Sequence, residues 1–294
     1  MKKNFNDYMN LMQEKMNQAA YDKKTPTYGT AEISDIPYLN DDNPNHVLDV
    51  YAPGFETGKL PVIVTIHGGG YVSNRKVCNR PHGMWLASQG FKVVNVEYTL
   101  VPQATLKEEI AEITAAFAWV EENADEYGFD VDNLFLTGDS SGGHLALLMA
   151  ALQSNTELQK LSGIAPVTSG INAVAATCPV GYGAGKDIVS LAMKVLLTLL
   201  DKSNEDVTPY FVDKAMTKEF MDCLIITAPT DIGIHSATKG LHKFMEKSGI
   251  PHEYLNLKGT EHNLPHVFNV LNPDWSESIT ANSVLVDFFK DHMA

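Results

Sequence analysis

From residue 46 onward, short apolar runs alternate with segments whose apolar residues recur at three- and four-residue steps. Runs at 46–51, 60–66, 92–98, 133–137, 161–166, 223–228 and 252–257 read as strands, the 161–166 run being the weakest. The 60–66 run, Leu-Pro-Val-Ile-Val-Thr-Ile, is nearly continuous, as expected of a strand covered on both faces. Helical periodicity falls at about 80–89, 106–123, 141–153, 235–248 and 276–291. In the second of these, Ile110, Ile113, Phe117 and Val120 share one side and acids take the other. Strands alternating with helices predict an α/β fold, a mostly parallel central sheet with helices on both faces. Residues 172–215 break the alternation, with Gly181, Gly183 and Gly185 among short helical pieces, and read as an insertion over the sheet edge. Upstream, Phe5, Tyr8, Met9, Met12 and Met16 line one face of a helix at 4–20 that is expected to pack on the body. No repeat or linker divides the chain, so 1–294 reads as a single domain.

Composition narrows the partners. A chain of 294 residues, 44% hydrophobic, can bury its core without a disulfide or metal staple. The formal net charge of −14, with no basic run to offset it, repels a phosphate backbone and excludes nucleic acid as a partner. Cys78, Cys178 and Cys223 are odd in number, far apart and without CxxC spacing, which argues against a zinc site or redox pair. Free thiols fit a reducing compartment. No apolar stretch approaches a membrane span, and Met1-Lys2-Lys3 is not followed by a signal-peptide core. The expected location is cytoplasmic, with no membrane contact.

The chemistry begins at Gly138-Asp139-Ser140-Ser141-Gly142, a Gly-x-Ser-x-Gly between a predicted strand and helix. That context marks a nucleophile elbow, in which a sharp turn exposes the serine and small flanking residues let strand and helix approach. Neither a dinucleotide nor a nucleotide-phosphate glycine motif is present. His67-Gly68-Gly69-Gly70-Tyr71 follows the 60–66 strand, and such a loop offers backbone N–H groups to a developing oxyanion. After the nucleophile, Ser141 is a further expected donor. His67 reads as a loop organiser, and Tyr71 is expected to contact substrate.

A serine needs a histidine to take its proton and an acid to orient that histidine. Asp231 follows the 223–228 strand, and His262 follows the 252–257 strand in Gly259-Thr260-Glu261-His262. These complete a predicted catalytic set of Ser140, Asp231 and His262. His266, four residues on, suggests a metal pair with His262. Pro265 interrupts a helix there, however, and no third ligand is evident, so no metal is expected. Asp222 precedes its strand, Glu261 reads as a solvated loop acid, and His235, His242 and His252 read as surface residues.

These segments resemble the hormone-sensitive-lipase-like (HGGG / GDSxGG) carboxylesterases of the α/β-hydrolase superfamily. Val96-Glu97-Tyr98-Thr99-Leu100-Val101-Pro102 is similar to that family's Asp-Tyr-Arg-Leu-Ala-Pro stretch, with Thr99 in place of arginine. Ser141 stands where the family usually has alanine, and Ile232-Gly233 where it has Pro-Leu. The resemblance runs from about residue 46 to the end. It implies Gly69 and Gly70 as oxyanion N–H donors with Ser141 as the third, a small helical cap built from about 1–30 and 172–215, and hydrolysis of short-chain acyl esters through an acyl-enzyme, without cofactor. The partner implied is a small-molecule acyl ester, and a homo-oligomer is compatible with it. Two alternatives use the same residues: an amide or formamide hydrolase, and a non-catalytic binding protein of hydrolase fold.

Overall fold

A computed structural model describes residues 27–54, 58–185, 190–192, 194, 195, 198 and 206–294. The expected helix at 4–20 lies outside the described residues. Eight strands form one sheet: β1 (Thr30–Pro37), β2 (Val47–Pro53), β3 (Leu60–Ile66), β4 (Lys92–Val96), β5 (Phe129–Asp139), β6 (Ala173–Thr177), β7 (Cys223–Thr227) and β8 (Glu253–Asn256). Their order is β1-β2-β4-β3-β5-β6-β7-β8. Strands β3 to β8 run parallel, and β2 lies antiparallel to both β1 and β4.

Side-chain alternation along the strands builds a core on each face. Val62, Val64, Ile66, Leu134 and Leu136 face one core with α2 (Leu106–Glu122), α3 (Ser140–Leu152) and α5 (Ile234–Ser248). Ile63, Phe135, Leu224 and Ile226 face the other, with α1 (Arg80–Ser88) and α7 (Ser276–Asp291). There Phe135 stacks on Phe289 at 4.8 Å and meets Phe91 edge-on at 6.2 Å. Such aromatic pairs add about 0.5–1.5 kcal/mol each beyond their burial. Helix α2 starts at Thr105, whose hydroxyl accepts the Glu108 N–H while the Glu108 carboxylate accepts the Thr105 N–H.

Register brings the chemistry to one edge. Ile66 pairs with Gly138, Asp139 with Thr177, and Thr177 with Ile226, so β3, β5, β6 and β7 end side by side. Strand order reverses between β3 and β5, because β4 lies on one side of β3 and β5 on the other. A crevice at the strands' carboxyl ends is the usual ligand site of such sheets.

Two expectations are corrected. The run at 161–166 is not a strand: α4 (Thr156–Ser162) occupies its start. The Asn155 side chain caps α4 by accepting the Glu157 and Leu158 N–H groups, and Gly163 ends it at φ 70°. The missing strand is β6, inside the stretch that read as an insertion. Its sequence Ala-Val-Ala-Ala-Thr has weak strand propensity. Pairing with β5 and β7 on both sides makes it a strand, and its small side chains let α3 lie close. The edge strand β1 carries Glu32, Asp35 and a register shift between Ile33 and Ile36, so its pattern does not alternate cleanly.

Candidate active site

Ser140 is the first residue of α3 and follows β5 without a loop. Its φ of 54° is left-handed, a strained state for a residue with a side chain. The strain is enforced by crowding: a Cβ on Gly138 would strike the Gly142 backbone, and one on Gly142 the carbonyls of Ile66 and His67. Asp139 is buried beneath the turn, and burial raises its pKa above the usual carboxylate range. Its Oδ1 accepts the Asn79 amide at 2.8 Å and the Gly68 N–H at 3.1 Å, tying the elbow to the glycine loop.

In that loop Gly69 has φ 135° and Gly70 φ 63°, conformations that suit glycine. Gly68 is committed to Asp139, whereas the Gly69 and Gly70 N–H groups have no protein acceptor among the described residues. Ser141 is fully buried, its N–H in the first turn of α3, where helical N–H groups lack intrahelical partners. Its Oγ accepts the Tyr71 N–H at 3.3 Å. His67 stacks on Tyr98 at 4.5 Å, with Nδ1 on the Gly68 carbonyl and Nε2 on Glu97. Burial works against the Glu97 charge, but His67 and Arg75 hold its carboxyl below the ordinary value.

The expectation for Tyr71 needs correction. It is 1% exposed, and its hydroxyl donates to His144 Nδ1 at 2.6 Å. His144 Nε2 meets the Tyr210 carbonyl at 2.7 Å, which fixes the proton on Nε2 and leaves Nδ1 as acceptor. The phenol therefore braces the glycine loop from inside instead of facing a substrate.

The histidine assignment is also corrected. Ser140 Oγ lies 2.9 Å from His266 Nε2, and His266 Nδ1 lies 2.8 Å from Asp231 Oδ2. Asp231 is 1% exposed and His266 35% by side chain. His262 is elsewhere: its Nδ1 meets Glu277 Oε2 at 2.8 Å and its ring stacks on Trp275 at 4.2 Å. Glu277 Oε1 also accepts the N–H groups of Thr260, Glu261 and His262. The Glu261 N–H, then the His262 ring, hold the Glu277 carboxyl far below its ordinary value. Pro265 interrupts no helix, because 257–266 is irregular. The turn, pinned by the Thr230 hydroxyl on the Leu264 carbonyl, carries the chain four residues past His262 before a ring reaches Ser140.

The structure thus brings together Ser140, Asp231 and His266. With the Nδ1 proton given to Asp231, His266 Nε2 is left to accept the serine proton. Cys178, directly after β6, completes a group with Asp231 and His266 whose donor atoms lie within 4.8 Å of one another. Sequence reasoning set His262 ahead of His266 and gave Cys178 no role. No local signal ranks the two histidines, since the residue that claims His262, Glu277, lies 15 residues on, in α7.

A family model, BD-FAE, matches residues 48–205, more than half of the chain. The chain belongs to the BD-FAE family. This BD-FAE member has the α/β-hydrolase fold and the hormone-sensitive-lipase-like carboxylesterase kinship that its glycine motifs suggested. Esterase B from Lactobacillus rhamnosis superposes with a TM-score of 0.89 at 26% identity, covering 98% of this chain and 94% of that one. Esterase LipQ of Mycobacterium tuberculosis is 36% identical over 135 residues, 44% of this chain and 31% of its own length. The isoprenylcysteine alpha-carbonyl methylesterase ICME of Arabidopsis thaliana is 30% identical over 118 residues, 40% of this chain and 28% of its own. The BD-FAE chain thus spans less than a third of the length of these two curated relatives. Among the described residues, no helix is long and apolar enough to cross a membrane.

Proposed function

We propose that this protein is a serine carboxylesterase that cleaves short-chain acyl esters through an acyl-enzyme, with Ser140, His266 and Asp231 as its triad. The observation that carries the reading is the unbroken relay from Ser140 Oγ to His266 (2.9 Å) to Asp231 (2.8 Å). His266 Nε2 takes the serine proton as Oγ attacks the ester carbonyl, and Asp231 stabilises the imidazolium that forms. The N–H groups of Gly69, Gly70 and Ser141 receive the oxyanion, each worth about 3 kcal/mol in the transition state. His266 then protonates the leaving alkoxide, and water repeats the sequence to free Ser140 and the acid.

Ester over amide is supported by the relatives described above, each named as an esterase. Short chains are supported by a structure of the Lactobacillus esterase, 27% identical, whose inhibitor is described as a C4-C4 SN3 tributyrin phosphonate. The cap is assigned to 178–185 and 206–215. Supporting that are the Val180 N–H on the Ser140 carbonyl (3.3 Å) and His144 on the Tyr210 carbonyl. Three buried thiols outside any disulfide favour a cytoplasmic location.

A nitrophenyl ester series from acetate to decanoate, alongside a nitroanilide, tests the reading. Turnover is expected to peak at the short esters and to vanish in Ser140→Ala. An optimum at decanoate, faster anilide cleavage, or an active alanine variant overturns it.

A further inference from the structure

Cys178 stands under the catalytic group with no part in the chemistry above. It is fully buried at φ 47°, a left-handed conformation uncommon for any residue but glycine. Its sulfur lies within 4.8 Å of the Asp231 carboxylate and of the His266 ring. Val267, next to His266, is itself at φ 51°, rare for a β-branched residue. Two strained backbone turns therefore hold sulfur, carboxylate and imidazole against one another. Their donor atoms all lie within 4.8 Å, and His266 Nδ1 is 2.8 Å from Asp231 Oδ2.

Thiolate, carboxylate and imidazole are the donors that tetrahedral Zn²⁺ accepts, at bonds of about 2.0–2.3 Å. We propose that Cys178, Asp231 and His266 form a site for a soft divalent cation of the zinc and cadmium type, and that its occupation switches the triad off. The switching half rests on His266 being the base of the proposed esterase. In the free protein His266 carries its proton on Nδ1 and offers the Nε2 lone pair to Ser140. A cation taking Asp231 and Nδ1 needs the other tautomer, so the ring proton moves to Nε2. The Cys178 proton leaves to solvent, and one metal–sulfur, one metal–nitrogen and one metal–oxygen bond form without any change of oxidation state. With Nε2 protonated, no lone pair remains for the Ser140 proton. Turnover stops through the wrong tautomer, with the substrate site itself left open.

The surroundings favour this occupant. Entry is from the histidine side, because His266 is 35% exposed while Asp231 is 1%. A hard cation such as Mg²⁺ prefers an all-oxygen octahedron and gains nothing from the sulfur.

Cd²⁺ is the probe, since its bond to thiolate absorbs in the ultraviolet where the free thiol does not. Wild-type protein titrated with Cd²⁺ should develop that absorption with one equivalent and lose ester turnover in parallel. A chelator should reverse both, and Mg²⁺ should produce neither. Cys178→Ser keeps the shape and a hydroxyl donor toward Asp231, and Cys78 and Cys223 remain in it as internal controls. That variant should lose the absorption and need more than about 10-fold more Cd²⁺ for half-inhibition, the least that losing even an outer-shell partner costs. Cys178→Ala should behave alike. Absorption that persists in Cys178→Ser, or inhibition equal to wild type, overturns the site. A His266→Ala variant that still turns over ester would instead sink the triad reading, whatever the cadmium absorption does.

Discussion

Two histidines four residues apart, each with a carboxylate on Nδ1, differ only in what the second ring nitrogen meets. For His266 it is Ser140 Oγ; for His262 the ring stacks flat on Trp275 with Glu277 holding its edge. Replacing each by alanine separates them. His266→Ala is expected to lower kcat by several orders of magnitude, and His262→Ala by far less, each protein checked by circular dichroism. Equal losses would mean that Glu277 and His262 act in the chemistry and not in the loop. Asp231→Asn should cut kcat by roughly 10⁴ with little change in KM, because the amide cannot fix the Nδ1–H tautomer. A KM rise with kcat unchanged would place Asp231 in substrate binding instead.

At the scale of elements, the site depends on how loops leave strands. The chain from β8 to α7 has no regular structure until α6 (Phe268–Leu271), and one carboxylate, Glu277, gathers three successive N–H groups of it. Glu277→Gln keeps an acceptor but removes its charge. It should loosen the loop and lower kcat by between about 10- and 100-fold, the cost of small misplacements at a reacting centre, without altering the Ser140 elbow. Unchanged kinetics would show that the Thr230–Leu264 tether alone positions His266. This loop is also where sequence reading stopped. The elbow and the glycine loop were legible because local backbone geometry demands particular residues at particular spacings. The five long helices were legible because each carries an extended apolar pattern, confined to one face in α5 and running all round in α3, whose residues 141–152 are all buried. The histidine was not, since its choice depends on a partner in α7, Glu277. Strand β6 was missed because alanines become a strand there only between two neighbours. Helix α4 was missed because its signal lies in the cap and not in its apolar run. Asn155→Ala should accordingly cost about 1 kcal/mol in urea unfolding, with activity retained.

Across the whole molecule, the two helix layers each bury a histidine that stays neutral. His82 on α1 meets Asn282 of α7 at 3.2 Å. His144 on α3 joins Tyr71 to Tyr210 on the opposite face. Burial lowers both to about 4, against an ordinary value of 6.5. In the unfolded chain these rings take up protons as pH falls through 6.5, whereas the folded protein resists until about 4. The unfolded state therefore binds more protons across that window, and stability must fall as pH drops through it. Each histidine accounts for about 3 kcal/mol over the full interval, and below it the loss levels off. Glu277 adds to the same trend at the acid end. Its carboxyl is held below the ordinary value of 4.5, so its contribution fades as pH falls below that point. His144→Gln keeps an acceptor for Tyr71 and a donor for Tyr210 but cannot titrate. Urea unfolding at intervals between pH 7 and 4.5 should show a shallower fall in that variant than in wild type, by up to one proton's worth of slope. Parallel curves would mean that His144 is not neutral in the folded protein, and that the brace between Tyr71 and Tyr210 is charged.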